Sequence, residues 1–580
     1  MDVRRGILLF ALALILVVLY QRWLVFTTPQ TPQTAQAPAP AAQTSGTKAP
    51  SATAGSEQVP EVPEAPSGEA KPETGSQASG KAEKGTGAEA PTGAVEDLAS
   101  QGPHIEVTTD VYRAEIDAQG GGIAELAMLK HPVSVNHPNQ PFLLLKREQT
   151  DNGPEIFITE SGLIGKGREF PNHKTKYQID RTHYSLQPGS NTVTVDLHWT
   201  APDNVRYTKR FTFSRNSYEI KVDYLVDNRS STPWTGFVYA QFLRTHFVPH
   251  RNFLQRRLPI YTGGAIYSPK EKFEKVSFSD IKDKALKRRV ADGWVAMIQH
   301  YFVTGWFPRD DSEYSFYTRY LKGESPRYAI GLNSLTPATA APGQSVDLGL
   351  NMFAGPKEQN LLAKTAKGFD LTVDYGYLTP VSSPLFWVLD HIHDVIGNWG
   401  WSIIILTCLI KAAFYPLSAT SYKSMAKMKK LQPRLQTLKE RYGDDKTKYN
   451  QAMMEIYKKE KVNPLGGCLP IVIQIPVFIA LYWVLLGSVE LRQAPWLLWI
   501  QDLSVRDPYY VLPILMGVTM VAQQLLNPSP VDPMQKKLMM ALPAVFTFLF
   551  LYFPAGLVLY WLTNNILSIT QQWYINKHVV

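Results

Sequence analysis

The feature that most constrains the fold of this chain is a series of apolar runs in its last third. Runs of about 15 to 20 residues are typical of helices that satisfy all their backbone hydrogen bonds inside a bilayer. Several fall below the roughly 20 residues that an ordinary bilayer requires, which predicts local membrane thinning or a water-filled indentation. We therefore expect a polytopic α-helical membrane domain at 401–580, with transmembrane segments at 401–416, 469–486, 510–526, 539–553 and 557–573.

One charged residue, Lys411, lies inside the first apolar run, and no other run carries a charge in its middle. A charge near the centre of a bilayer costs about 2.5–3.5 kcal/mol on insertion scales, so a helix that carries one faces a partner or water. Two interpretations of the polar residues in the other runs remain open. They form hydrogen bonds between helices, or several of them line one wet cavity that contains Lys411. These residues include Gln474, Thr519, Gln523, Gln524, Thr563, Asn564, Asn565, Ser568, Gln571 and Gln572.

The first 102 residues contain two different segments. Residues 1–26 join a basic start to an apolar run, which is also the pattern of a cleaved signal peptide. No small-x-small cleavage site closes this run, so we favour an uncleaved transmembrane anchor. Residues 27–102 are rich in Ala, Pro, Thr, Gly, Ser, Glu and Gln and contain no aromatic residue. Such a segment cannot bury enough apolar surface to offset its ordering entropy, which predicts a disordered tether.

Between 103 and 370 the pattern changes to an alternation of apolar and polar residues. The alternation is clearest at 193–199, 218–226 and 346–352, and glycine-rich turn signals separate such runs. Half-buried antiparallel strands give this period of two. We expect residues 103–370 to form an all-β sandwich domain.

The segment 371–400 connects the β-region to the first run of the membrane domain. Residues 384–397 place apolar side chains at helical spacing, which predicts an amphipathic helix lying in the membrane interface. His391 and His393 are two positions apart and point in different directions on a helix, so we expect no metal site. The only two cysteines, Cys408 and Cys468, lie in or beside apolar runs, which argues against disulfides.

A basic stretch at 417–462 follows the first run of the membrane domain. The chain has a net charge of +9, and its basic residues crowd into this stretch, which reads as a helical hairpin. The positive-inside rule then predicts six spans with both termini in the cytoplasm and the β-region outside. Two interpretations of the hairpin remain open. Its charges only fix topology, or it is a docking platform for ribosomal RNA, anionic lipid or a polypeptide, through Lys423, Lys427, Lys429, Lys430 and Arg434.

The motifs of common membrane enzymes are absent from the sequence. We find no G-x-x-x-x-G-K-[ST], no H-E-x-x-H and no G-x-S-x-G. No apolar run carries Asp or Glu at its centre to relay protons. A charged groove without catalytic or energy-coupling motifs favours binding and passage, so we expect no enzymatic activity and no cofactor.

Several stretches carry a specific resemblance to a known family. Similarity to the signature of the YidC/Oxa/Alb membrane protein insertases occurs at 461–470, 487–495, 507–510 and 553–557. Residues 293–297 and 307–308 resemble the periplasmic domain of the Gram-negative type. The resemblance covers essentially everything outside the tether.

The resemblance implies a periplasmic β-supersandwich of the galactose-mutarotase-like type and a five-helix insertase core. The core would enclose a hydrophilic groove that is open to the cytoplasm and to lipid but closed outside. One basic residue lies in that groove and is usually arginine; here it is Lys411, which keeps the charge but not the bidentate geometry.

The resemblance also implies which residues meet a substrate. By position, the contact surface along the groove comprises Thr407, Phe478, Met516, Leu549 and Trp561, beside the polar Gln474 and Asn565. Leu549 and Trp561 stand where other members often have Phe and Tyr.

The function implied is that of an insertase and chaperone. It would move transmembrane segments of newly made proteins into the bacterial inner membrane, alone or with the Sec translocon, and assist their folding. The implied partners are nascent membrane proteins, the Sec translocon, the ribosome, the signal recognition machinery and membrane lipid, with no specific nucleic acid.

An alternative is a membrane-anchored periplasmic protein that binds carbohydrate or resembles a mutarotase. The sequence offers no convincing His/Glu pair for such chemistry. A small-solute transporter is a third interpretation, but the apolar runs show no internal repeat.

Overall fold

The computed structural model describes residues 102–151, 153–246, 261–442, 445–460, 469–527 and 533–578. The predicted anchor at 1–26 and the tether at 27–102, apart from its last residue, lie outside the described residues, as does Cys468.

The first half of the described chain consists of two large β-sheets. The larger sheet has eleven strands in the order β14-β17-β18-β11-β5-β4-β3-β2-β1-β7, with β19 paired to β11. Neighbouring strands are antiparallel except β1 and β7. These strands are β1 (His104–Thr108), β2 (Tyr112–Asp117), β3 (Ile123–Ser134), β4 (His137–Thr150), β5 (Gly153–Ile164), β7 (His183–Ser185), β11 (Trp234–Thr245), β14 (Lys287–Ala291), β17 (Glu313–Leu321), β18 (Arg327–Ser334) and β19 (Ala338–Ala340).

The smaller sheet has nine strands in the order β13-β12-β15-β16-β20-β10-β9-β8-β6. They are β6 (Gln178–Ile179), β8 (Thr192–Thr200), β9 (Val205–Ser214), β10 (Glu219–Asn228), β12 (Gly263–Ser268), β13 (Lys272–Val276), β15 (Trp294–Ile298), β16 (Phe302–Pro308) and β20 (Ser345–Pro356). One short helix, α1 (Phe278–Asp283), follows β13.

The alternation of the sequence decides which side of each strand enters the core. In β10 the residues Ile220, Val222, Tyr224 and Val226 are buried, whereas the residues between them are partly or fully exposed. The period of two puts one face of the strand against the second sheet and the other in solvent. The predicted all-β sandwich is confirmed.

One inward position of the sandwich holds a charge-bearing residue. Lys209 on β9 lies between Tyr207 and Phe211 in the inward series and is fully buried. Its Nζ donates to the carbonyl oxygens of Gly120 (3.4 Å) and Ser161 (3.2 Å). Lys209 is therefore a charge-bearing exception in an otherwise apolar inward series, and hydrogen bonds to the main chain partly offset the cost of burying it.

The second half of the described chain is helical. Its helices are α2 (Gln359–Thr365), α3 (Thr379–Ile396), α4 (Trp399–Ala413), α5 (Tyr415–Tyr442), α6 (Lys446–Lys459), α7 (Leu469–Gly487), α8 (Val511–Leu526), α9 (Pro533–Phe550) and α10 (Ala555–His578). Helix α3 is the predicted amphipathic helix, but it begins five residues earlier than the predicted 384.

The first apolar run is broken where the sequence predicted a continuous segment to 416. Helix α4 ends at Ala413, and α5 begins at Tyr415 with a bend of 68° between them. Pro416 lies in the first turn of α5, where its missing N–H costs nothing, and its ring disfavours a continuous helix through the preceding residues. The bend places Lys411 in the last turn of α4 rather than within a straight span.

A single helix that crosses an ordinary bilayer needs about 20 mostly apolar residues. Within the parts of the chain that the structure describes, no single helix is both long and apolar enough; only the bent pair α4 and α5 qualifies together. Shorter apolar helices occur at Gln474–Gly487, Val511–Leu526 and Lys537–Phe550. The six-span arrangement therefore stays a prediction.

The β-domain is attached to the connection between α7 and α8. Arg492 donates to the carbonyl oxygens of Pro132 and Val133 at the end of β3. The guanidinium also lies 5.7–5.9 Å from the ring centres of Phe142, Tyr301 and Phe302. These contacts hold the sandwich against the connection between α7 and α8.

A second set of contacts lies beside the first. His300 contacts the carbonyl oxygen of Leu486 through Nε2 at 3.0 Å, at the end of α7. The N–H of Gln359 donates to Oε1 of Glu490 (3.3 Å), whose other carboxylate oxygen is buried without a hydrogen-bond partner. Burial raises the pKa of Glu490 to about 7.

Candidate substrate groove

Lys411 is held by the last helix of the chain. Its Nζ donates to Oγ of Ser568 on α10 at 2.8 Å, and that hydroxyl donates to the carbonyl oxygen of Asn564 at 2.7 Å. Lys411 is partly buried and lies in the last turn of α4. The free carbonyls at a helix C-terminus favour a cation there.

Other polar residues of the core pair between helices. Asn565 donates to Oγ1 of Thr519 at 3.2 Å, which joins α10 to α8. Gln474 donates to the hydroxyl of Tyr560 at 2.7 Å, which joins α7 to α10. These pairs match the first interpretation of the polar residues, since each satisfies a buried donor by a neighbouring helix.

A stripe of polar residues on α10 is only partly paired. Asn564, Ser568, Gln572 and Asn576 recur every four residues and therefore lie along one side of the helix. The side-chain carbonyl oxygens of Asn564, Gln572 and Asn576 are buried without a hydrogen-bond partner in the described structure. Buried acceptors of this kind require water or a ligand donor. This matches the second interpretation, because the stripe includes the residue that binds Lys411.

The aromatic residues predicted to contact substrate lie together. The rings of Phe478 on α7 and Trp561 on α10 meet edge to face, with 4.5 Å between their centres. Trp561 also contacts Phe546 and Phe550 of α9. Both Phe478 and Trp561 are partly exposed, and Leu549 is half exposed. They form an apolar surface of the kind along which a hydrophobic segment can slide.

Two residues of the predicted contact surface are enclosed instead. Thr407 is buried, and its hydroxyl donates to the carbonyl oxygen of Ile403 in the same helix (2.6 Å). Met516 on α8 is fully buried. Neither side chain reaches the surface in the described structure.

The predicted docking residues lie on α5. Lys423, Lys427, Lys429 and Lys430 are exposed. Arg434 forms an ion pair with Glu460 at the end of α6, at 2.7 Å. A small apolar core joins the two arms of the hairpin, formed by Leu431, Leu435, Met453 and Tyr457.

Sequence reasoning missed two site residues. Ser568 was recognised only as one of several polar residues, although it is the partner of Lys411. Tyr560 was not considered, although its hydroxyl accepts from Gln474. The four-residue spacing of the α10 stripe is the signal that could have singled out Ser568.

Comparison with known proteins defines the class of this chain. Residues 391–580 match the family described as 60Kd inner membrane protein, and residues 104–388 match the family described as YidC periplasmic domain. The arrangement is that of a bacterial inner-membrane protein with a large periplasmic domain.

Similar proteins identify the family within that class. The membrane protein insertase YidC of Stutzerimonas stutzeri (strain A1501) is 49% identical over 476 residues, covering 82% of this chain and 84% of that protein. The insertase YidC of Thioalkalivibrio sulfidiphilus (strain HL-EbGR7) is 52% identical over 484 residues, covering 82% and 85%. This chain belongs to the YidC family of membrane protein insertases. The family is not one of enzymes, and the carbohydrate-related alternative is not favoured.

Solved structures give weaker similarities. A crystal structure of an active YidC insertase is 19% identical over 82% of this chain and 94% of its own, with a TM-score of 0.38. A galactose mutarotase related enzyme from Lactobacillus acidophilus is 12% identical over 43% and 97%, with a TM-score of 0.28. At these scores neither likeness supports an argument, and the family rests on the sequence relatives.

Proposed function

We propose that this insertase moves transmembrane segments of newly made proteins into the bilayer along a groove between α4, α7 and α10. The incoming apolar segment slides past Phe478, Leu549 and Trp561 into lipid. Its short polar or acidic tail pauses beside Lys411 before it crosses. The observation that carries the proposal is the position of Lys411, which is hydrogen-bonded to Ser568 on α10, on the same side of the helix that carries the unpaired acceptors of the described structure.

The charge of Lys411 lowers the barrier for the tail by replacing part of its hydration. A carboxylate in the groove finds an ammonium group at the end of α4, and N–H groups of the tail find amide oxygens on α10. The short apolar helices reduce the distance over which the tail lacks water. Because each step exchanges one polar partner for another, the groove needs no catalytic group.

Substitution of Lys411 tests this proposal. Insertion of single-span substrates with acidic tails should fall several-fold with Lys411→Ala and further with Lys411→Glu, and it should survive Lys411→Arg. The matched control is Lys458→Ala, which removes an exposed lysine from α6 and should leave insertion unchanged. Equal insertion by all Lys411 variants would show that the charge has no role.

Topology and domain division are part of the proposal. The chain would have six spans with both termini in the cytoplasm, an anchor at 1–26, a tether at 27–102, a periplasmic β-supersandwich at 103–370, a connecting segment at 371–400 and a core at 401–580. The basic hairpin at 417–462 supports this orientation. Labelling of single cysteines with an impermeant thiol reagent in whole cells would contradict it if positions on α5 reacted from outside.

The exposed lysines of α5 would receive cytoplasmic partners. The ribosome and the signal recognition machinery present anionic RNA, and the Sec translocon would share substrates with the groove. Charge reversal of the four exposed lysines should weaken co-sedimentation with ribosomes and should cause no other defect. These lysines are Lys423, Lys427, Lys429 and Lys430. Reversal of Arg434 alone should act mainly through the hairpin, because its guanidinium already pairs with Glu460.

A further inference from the structure

The connection between α7 and α8, residues 488–510, has an unusual backbone. Of the seven described non-glycine residues with positive φ, three lie in this connection: Gln493, Leu498 and Tyr510, at 59°, 53° and 58°. Leu498 is the only aliphatic residue in that described set. An aliphatic side chain disfavours the left-handed region, and such strain persists only where the surroundings enforce it. The direction of the Leu498 side chain is therefore enforced.

Leu498 forms the tip of a small lobe, residues 496–500, which we call the apolar lobe. The lobe is closed by its own backbone: the N–H of Trp496 donates to the carbonyl oxygen of Ile500 (2.9 Å), and the N–H of Ile500 to that of Leu497 (3.1 Å). Leu498 is 69% exposed and Leu497 is 47% exposed. The lobe thus pairs the N–H groups of Trp496 and Ile500 internally and leaves two leucines exposed.

Contacts with the start of α4 fix the level of the apolar lobe. Asn398, the N-cap of α4, donates to the carbonyl oxygens of Pro495 (3.2 Å) and Trp496 (3.3 Å). The Trp496 ring packs directly on the backbone of Gly400, where any Cβ would overlap it. It also meets the ring of Trp401 edge to face, at 5.9 Å. The lobe therefore lies level with the first turn of α4.

Two helices next to the apolar lobe are shorter than an ordinary hydrocarbon core is thick. Helix α4 has 15 residues and α8 has 16, which span about 22–24 Å, against a hydrocarbon core of about 30 Å. Tryptophan rings at the end of such helices are typical of the membrane interface. Leu497 and Leu498 extend the apolar surface outward from these rings.

We propose that the apolar lobe inserts into the outer leaflet of the bilayer, with Leu497 and Leu498 among the upper acyl chains. A lipid surface is the partner that continues the apolar surface of the adjoining helices. The proposal rests on the membrane orientation given under the proposed function, and it goes beyond insertion itself.

Spin-label depth measurements on the full chain in phospholipid nanodiscs test this proposal. In a Cys408→Ser/Cys468→Ser background, a nitroxide at Leu498→Cys should be relaxed at least twofold more by oxygen, which partitions into lipid, than by a water-soluble nickel chelate. The matched control is Gln501→Cys, at the exposed residue that directly follows the lobe, whose native amide donates back to the Leu498 carbonyl oxygen (2.7 Å). Its nitroxide should show the opposite preference.

Equal access of the nickel chelate to positions 498 and 501 would overturn the proposal. Leu497→Cys provides a second reporter with the same expected preference for oxygen, should a label at Leu498 disturb the strained turn. The depth measurement is independent of insertion activity. Lys411→Ala should lose insertion and keep the lobe in lipid, so failure of the groove and failure of the lobe are distinguishable.

Discussion

The buried Lys209 predicts a pH dependence that belongs to the β-domain. Its ammonium lies 5.4 Å from the ring centres of Phe211 and Tyr224 and has two carbonyl acceptors. Burial lowers the pKa of Lys209 from 10.5 to about 7, and the nearby Glu160 only partly opposes this. Folding therefore disfavours the charged amine.

The sign and size of the effect follow from proton linkage. Between pH 7 and pH 10.5 the unfolded chain holds the Lys209 proton and the folded domain does not, so stability rises with pH. The slope is about 1.4 kcal/mol per pH unit, which gives roughly 2–3 kcal/mol between pH 7.5 and 9.5. Burial lowers the pKa of Lys357 to about 8, which adds a second contribution in the same direction. The comparison must therefore isolate Lys209.

Lys209→Met isolates it by removing the titrating group while keeping an unbranched side chain. We expect the variant to be more stable than wild type near pH 7. We also expect its stability to rise less steeply with pH than that of wild type, by about 1.4 kcal/mol per pH unit. Amide hydrogen exchange of β9 and β10 in the full chain, corrected for intrinsic rates, measures the opening free energy. Lys221→Met, at an exposed position of β10, is the control for loss of one charge. Equal slopes in wild type and Lys209→Met would refute the reasoning.

Three further substitutions test the contacts that position the groove. Gly400→Ala forces a methyl group into the Trp496 ring and should cost about 1–3 kcal/mol in thermal unfolding, with partial recovery when Trp496→Ala is added. Arg492→Ala removes two hydrogen bonds to β3 and should speed proteolysis at the β3–β4 turn, whereas Arg506→Ala, at an exposed position, should not. Glu490→Gln should stabilise the joint at pH 8 but hardly at pH 5, because a raised carboxyl pKa penalises folding progressively as pH rises from about 4.5 to about 7. The measurement is amide hydrogen exchange of α2 at both pH values. An equal gain in the protection of α2 at pH 5 and pH 8 would contradict this expectation.

Local pattern predicted the β-domain well and the groove only in part. The alternation in β10 fixes which side chains enter the core, because one face of the sheet is buried. The same rule places Lys209 inside, in register with Tyr207 and Phe211, whereas its charge would have placed it outside, since local sequence cannot reveal carbonyl oxygens contributed by distant residues such as Gly120.

The groove depends on contacts that are distant in sequence. Lys411 was recognisable because a charge in an apolar run is costly, but its partner Ser568 lies 157 residues away. Pro416 was visible in the sequence as the end of the predicted segment, whereas the bend lies just before it, between Ala413 and Tyr415. The contact between Arg492 and β3 is equally hard to predict from the sequence, because neither segment carries a local signal of the other.

The stripe on α10 has a spacing that matters for a chain in motion. Acceptors four residues apart are separated by about 6 Å along a helix, whereas two residues of an extended chain advance about 6.6 Å. N–H groups two residues apart in an extended tail would therefore meet Gln572 and Asn576 in near register, and N–H groups four residues apart would meet Asn564 and Gln572. A tail could exchange its hydrogen bonds from one acceptor to the next along the helix. No single position would then bind the tail tightly enough to stop its movement.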